Sequence, residues 1–264
     1  MLQNESRFRR DDEKRVPARR FAVISAAMAA ARPTFAAVVF DAYGTLLDFN
    51  SAVAREGAAL GDKAAALSAL WRRKQLEYSW LRSLIGRHAD FRQVTGEALD
   101  YALAELGIAA PGPQRDRLKE RLLAVYDRLQ AYPEVPAMLA AIKRLGLPSA
   151  ILSNGAPDML ASAVAAAGLE RSLDAVLSVE AAGTFKPHPS VYALATRRFA
   201  CAPAAIAFVS GNGWDVAGAA AFGFHAIWIN RAGAPAEQLP SGPAAMLGDL
   251  SELPAHLAAV GQPR

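Results

Sequence analysis

The chain has 264 residues, 53% hydrophobic and 20% charged, enough to bury one substantial core and a smaller second one. Its formal net charge of +4 originates at the amino terminus, because residues 1–32 hold eight of the 29 Lys/Arg and four of the 25 Asp/Glu; the remainder is formally neutral, and no basic nucleic-acid-binding face is indicated. The lone Cys201 excludes an intramolecular disulfide, and His88, His188, His225 and His256 lack metal-ligand spacing.

The first segment offers two readings. Arg19-Arg20 followed by the apolar run from Phe21 to Ala31 resembles a twin-arginine export signal, with Ala30 or Ala36 available for cleavage and a periplasmic destination. Read instead as an extension, or with the natural start at Met28, residues 1–34 precede a cytoplasmic protein, and this second reading is preferred. The run is too short to span a bilayer, and no other stretch approaches a transmembrane helix, so no membrane partner is expected.

Val38–Phe40 reads as a strand buried on both faces, ending at Asp41 and broken by the turn-forming Tyr43-Gly44-Thr45. Residues 51–129, rich in Ala, Leu, Arg, Lys and Glu, read as helical, and the prolines of Tyr132-Pro133-Glu134-Val135-Pro136 mark their far boundary. Strands and helices then alternate: a strand at 147–152, a helix at 157–167 closed by Gly168, a strand at 175–179, a helix at 189–200, a strand at 206–209, a helix at 216–222 closed by Gly223, and a strand at 226–229. A loop spans 235–243, and the tail Gln262-Pro263-Arg264 is expected to fray. This alternation predicts an α/β fold, a Rossmann-like parallel sheet with helices on both faces. The division is an extension at 1–34, a core domain at 35–48 and 131–264, and an inserted helical cap at 49–130.

Four strand ends carry polar groups. Asp41 follows the first; Ser153-Asn154-Gly155 follows the second, where hydroxyl, amide and helix-start N–H groups make an anion cradle; Lys186-Pro187 follows the third; Ser210-Gly211-Asn212-Gly213-Trp214-Asp215 follows the fourth. Each has an ordinary alternative as a cap, a turn or a solvated charge.

Taken together, acid, Ser/Asn, Lys-Pro and acid at four successive strand ends resemble the four motifs of the haloacid dehalogenase superfamily, over residues 36–260. Phosphatases of that superfamily carry a second Asp two residues after the nucleophile, where Tyr43 stands here, and a magnesium-binding Asp where Gly211 stands. What remains is similar to the L-2-haloacid dehalogenase branch, which uses no metal. The match includes Asp41-Ala42-Tyr43-Gly44-Thr45, Trp71-Arg72, the segment from Tyr78 to Leu84, and Lys186-Pro187 with Tyr192.

The resemblance implies attack of Asp41 on C2 of a short L-2-haloalkanoate, loss of halide with inversion, and hydrolysis of the aspartyl ester to a D-2-hydroxy acid. It implies Asp215 as the base for water with Lys186 beside it, Arg72 and Asn212 for halide or, in the case of Arg72, for the substrate carboxylate, and Thr45 and Ser210 as orienting hydroxyls. Ser153, Asn154 and Lys186 form a carboxylate pocket, with Ala42 and Tyr192 lining the site; Tyr43, Leu76, Phe91 and Trp214 form the apolar wall, although core packing would equally account for Leu76 and Phe91. Arg73 departs from the uncharged polar residue expected there. No metal or organic cofactor is implied, the partners are haloalkanoate, water and halide, and a homodimer through the cap helices is a family expectation. The rivals are a phosphatase of the same superfamily acting on a small phosphate monoester, and a non-catalytic scaffold retaining the fold.

Overall fold

A computed structural model describes residues 35–49, 60–108 and 112–261. The extension, with its signal-like run, and the residues 262–264 lie outside them, as do 50–59 and 109–111 of the segment read as helical.

Six strands, β1 (Ala37–Phe40), β2 (Ser149–Ser153), β3 (Ala175–Ser178), β4 (Ile206–Ser210), β5 (His225–Ile229) and β6 (Ala245–Leu247), form one sheet in the order β3-β2-β1-β4-β5-β6. Every pairing is parallel, with Val39 of β1 opposite Ala150 on one side and Phe208 on the other. Strands β1, β2 and β4 are buried throughout, as continuous apolar runs in a sheet covered on both faces should be. Fully burying a side chain the size of Phe40 contributes about 1.5–3 kcal/mol. At the edges, Val176 of β3 and Met246 of β6 are exposed.

Among the described residues, the helices α1 (Lys63–Leu84), α2 (Phe91–Glu105), α3 (Pro113–Leu123) and α4 (Val135–Arg144) lie between β1 and β2. Leu67, Leu70, Trp71, Gln75 and Ser79 form the buried stripe of α1, at the three- and four-residue spacing of one helical face, and α1 packs along α2. Asp90 caps α2 by accepting the Gln93 N–H at 2.8 Å. The later crossovers carry α5 (Pro157–Ala166), α6 (Pro189–Phe199) and α7 (Gly213–Phe222), and α8 (Leu253–Gly261) closes the described chain.

The predicted elements are present with shifted ends. Helix α7 begins at Gly213, three residues before the expected start, because Asn212 serves as its N-cap residue and puts Asp215 in the first turn, where a carboxylate is favoured by the helix dipole. Strand β6 was not anticipated, since three partly exposed residues after a loop rich in Pro, Gly and Ser carry no periodic signal.

Candidate active site

Strand order reverses at β1, so the loops after β1 and β4 leave the sheet side by side, and the crevice beyond their carboxyl ends is where ligands of such sheets bind. The loops after β2 and β3 flank it. This topology draws residues far apart in the chain around Asp41.

Asp41 is 6% exposed. Its Oδ2 accepts from the Asn212 amide at 2.8 Å and from the Thr45 hydroxyl at 3.2 Å, and its Oδ1 accepts from the Lys186 ammonium at 3.1 Å. Gly211 N–H donates to Thr45 Oγ1 at 2.8 Å, which directs the hydroxyl hydrogen of Thr45 toward Asp41. Gly44, with φ of 79°, turns the chain back after Tyr43, and Arg231 steadies that turn by donating to the Thr45 carbonyl at 3.1 Å. A Cβ on Gly211 would run into the Gly44 carbonyl oxygen, so this position has no room for a side chain.

Lys186 is buried between two carboxylates, 3.1 Å from Asp41 and 2.7 Å from Asp215, with Nζ 5.0 Å from the centre of the Phe208 ring. Burial opposes its charge, but Asp215 and Asp41 outweigh that and raise its pKa, so the ammonium is permanent at working pH. Asp215, fully buried, accepts from Lys186 on Oδ2 and from the Tyr192 hydroxyl on Oδ1 at 2.8 Å. Loss of solvation pushes the Asp215 pKa up to about 6 against the opposing attraction of Lys186, making it more basic than an ordinary carboxylate.

Asn154 Oδ1 accepts the Lys186 backbone N–H at 3.0 Å, which turns its amide N–H groups away from that contact. Ser153 Oγ accepts the Gly155 N–H at 3.2 Å. The Ser210 hydroxyl accepts the Asn212 N–H at 3.1 Å; it orients Asn212 rather than bonding Lys186. Ala42 is buried in the turn, where its carbonyl accepts from the Leu46 and Leu47 N–H groups at 3.0 Å.

From α1, the half-buried Arg72 reaches the crevice and donates to Asn212 Oδ1 at 3.4 Å. Leu76 and Trp80 follow at four-residue steps on the same face, and the Trp80 ring meets Trp214 edge-on at 5.5 Å. Phe91 stacks on Tyr43 with centroids 6.0 Å apart, and Tyr126 meets Tyr43 edge-on at 5.3 Å. Burial raises the Tyr43 pKa well above its ordinary value, so it stays a neutral phenol. Arg73 is exposed.

Hydrogen bonds thus join Asp41 with Thr45, Lys186 and Asn212, Lys186 with Asp215, Asp215 with Tyr192, and Asn212 with Arg72, whereas Phe91 is packed within the aromatic cluster behind Tyr43. Sequence reasoning included Trp80 only as part of the Tyr78–Leu84 match, without a role, and did not single out Gln75, Tyr126 or Arg231. The four-residue step from Arg72 through Leu76 is a signal that points to Trp80; nothing local marks Arg231, which lies 190 residues from Asp41 in sequence.

The family model for haloacid dehalogenase-like hydrolases matches residues 35–223. The chain is 48% identical over 218 residues to (S)-2-haloacid dehalogenase 1 of Pseudomonas sp. (strain CBS-3), covering 83% of this chain and 94% of that protein. It superimposes on a crystal structure of an L-2-haloacid dehalogenase with a TM-score of 0.82 at 43% identity, covering 85% and 99% of the two chains. The L-2-haloacid dehalogenase of Xanthobacter autotrophicus with chloropropionic acid covalently bound matches with a TM-score of 0.77 at 41% identity, covering 85% and 98%.

Proposed function

The chain belongs to the haloacid dehalogenase-like hydrolases, in the L-2-haloacid dehalogenase branch, and from that membership we infer that it hydrolyses short L-2-haloalkanoates to D-2-hydroxy acids through an ester on Asp41. The observation that carries this reading is the immobilised Asp41 carboxylate, held by donors from its own turn and from the loops after β3 and β4 while Asp215 stands behind Lys186.

Asp41 Oδ1, with a single donor among the described residues, keeps a lone pair for in-line attack on C2. The C2–oxygen bond forms as the carbon–halogen bond breaks, halide leaves with the electron pair, and C2 inverts. Arg72 faces the departing anion or the substrate carboxylate, and Asn212, whose amide N–H groups donate to Asp41 and to the Tyr43 carbonyl, serves by holding Asp41 and Arg72 rather than the halide expected of it; Ser153, Asn154 and Lys186 supply the remaining donors. Tyr43, Leu76 and Trp214 enclose the alkyl group and the halogen. Holding a weak nucleophile aligned and dry can lower the barrier by about 7 kcal/mol or more.

Water then adds to the Asp41 ester carbonyl and gives its proton to Asp215. The ester bond breaks, the alkoxide takes that proton back from Asp215 to become the hydroxy acid, and Asp41, left as a carboxylic acid carrying the oxygen of water, releases the remaining proton to solvent and returns as the carboxylate. The ammonium of Lys186 supports the negative charge that develops beside it.

The reaction needs no divalent metal, since Lys186 supplies the cationic charge and the Gly44 carbonyl fills the space beside Gly211. Halide release from (S)-2-chloropropanoate, unchanged by EDTA, is the expected result. Magnesium-dependent phosphate release from a monoester without halide release would contradict it.

Residues 49–130 are the cap and residues 35–48 and 131–264 the core in this reading. A homodimer through the cap is supported by Leu81, Leu84 and Ile85 at the end of α1, which are 47%, 83% and 67% exposed; light scattering tests it. No helix among the described residues is long and apolar enough to cross a membrane. We place the enzyme in the cytoplasm, and amino-terminal sequencing of the native protein tests this against export with cleavage near Ala30 or Ala36.

A further inference from the structure

Gln75, one turn beyond Arg72 on α1, is fully buried. Its Oε1 accepts from Arg72 Nη1 at 2.7 Å, while its Nε2 donates to Thr95 Oγ1 at 2.7 Å and to the Tyr126 hydroxyl at 2.8 Å. Chemistry fixes the direction of this amide. Guanidinium is only a donor, so Oε1 must face Arg72, and the Thr95 hydroxyl hydrogen is used on the Phe91 carbonyl at 2.5 Å, so Thr95 accepts from Gln75. The Trp71 indole N–H secures the same turn of α2 by donating to the Thr95 carbonyl at 2.9 Å. Each polar end of Gln75 is thus matched, which makes the network a stiff support.

Among the described residues, both hydrogen bonds of Arg72 run to neutral amide oxygens, Gln75 Oε1 and Asn212 Oδ1. Arg82, Arg92 and Arg231 instead face Glu97, Asp127 and Glu134 at 2.6, 3.0 and 2.6 Å. A glutamate would reach Arg72 from position 75 as well as glutamine does, yet it would cancel the charge.

We propose that Gln75 is a positioning residue that aims the Arg72 guanidinium at the crevice over Asp41 without neutralising it, leaving the cation to a monovalent anion, the substrate carboxylate or the departing halide. This rests on the dehalogenase reading for the identity of the anion. The arrangement makes the choice of amide over carboxylate at position 75 a determinant of anion affinity.

The test measures affinity for D-2-hydroxypropanoate by calorimetry, and kcat and KM for halide release from (S)-2-chloropropanoate, in the wild type, Gln75→Glu, Gln75→Met and Tyr126→Phe. Gln75→Glu lowers affinity by about tenfold or more and raises KM in proportion, because a carboxylate now competes for Arg72. Gln75→Met keeps the charge but frees the guanidinium, so kcat falls by about tenfold while affinity changes less, and in an Arg72→Met background the same change adds nothing. Tyr126→Phe moves kcat in the same direction by less. If Gln75→Glu does not fold, Gln75→Met and Tyr126→Phe decide. Wild-type kcat in both, or a Gln75→Met loss that persists undiminished without Arg72, overturns the proposal, as does a wild type that binds no hydroxy acid. A wild type whose affinity responds to Gln75→Glu as described, but which releases no halide, instead sinks the dehalogenase reading and leaves the role of Gln75 standing.

Discussion

Tyr192 donates its hydroxyl to Asp215 Oδ1 at 2.8 Å, on the oxygen that Lys186 leaves free. This bond favours the ionised carboxylate and so restrains the upward shift of Asp215, which burial drives to about 6. The rate of ester hydrolysis should fall as pH drops through about 6, where Asp215 becomes protonated. Tyr192→Phe removes the donor, so the acid limb of the kcat profile should move to higher pH. An unmoved limb would take Asp215 out of the role of base.

Lys186→Ala should cost about 3–5 kcal/mol of stability, because it leaves two carboxylates buried without their cation. Asp215, freed of the lysine, should be protonated at neutral pH, and halide release should fall below detection. Denaturant unfolding and halide assays check both. A loss of activity with full stability would mean that the ion pairs contribute nothing net to folding.

Gly211→Ala should be destabilising by about 1–3 kcal/mol, since the added Cβ meets backbone at the Gly44 carbonyl, which cannot swing aside as a side chain can. The shift would carry Thr45 away from Asp41 and lower kcat more than it raises KM. Gly211→Asp should behave worse, and magnesium should not rescue it.

His225 and His256, with rings 6.0 Å apart, both have pKa values lowered by burial. The folded state therefore binds protons at these sites less tightly than the unfolded chain. Their contribution to stability is complete above the ordinary imidazole pKa and is lost as pH falls from there through the depressed folded values. Thermal unfolding midpoints followed against pH should show a decline beginning in that range, and His225→Gln with His256→Gln should flatten it.

The parts of this molecule that were legible in the sequence share one property: their signal is local. Asp41 and Ser153 stand at the ends of apolar runs just before glycine turns, Lys186-Pro187 lies in the loop after the third strand and Asp215 in a glycine-rich segment after the fourth, so the strand ends and the residues that follow them could be read in order. Helix and strand ends slipped where turn chemistry and capping overlap, as at Gly213, where a glycine-rich segment that looks like a loop already belongs to α7. Strand β6 was missed because its pairing with β5, rather than its own residues, makes it a strand. The support behind Arg72 was also invisible, because Gln75, Thr95 and Tyr126 meet only when the helices pack. Ser210 was expected, with Thr45, to orient Asp41 and Lys186 by its hydroxyl, and in the structure that hydroxyl oxygen accepts the Asn212 N–H.

The measurement that bears most directly on Asp41 as nucleophile is a single turnover with enzyme in excess over (S)-2-chloropropanoate in water enriched in oxygen-18, followed by mass analysis of the peptide containing Asp41. Water that attacks the ester carbonyl must leave its oxygen in the Asp41 side chain, while the hydroxy acid released in that turnover carries an unlabelled oxygen from the enzyme. Label found in the product and absent from Asp41 would mean that water strikes the substrate carbon itself, and the covalent account would be wrong.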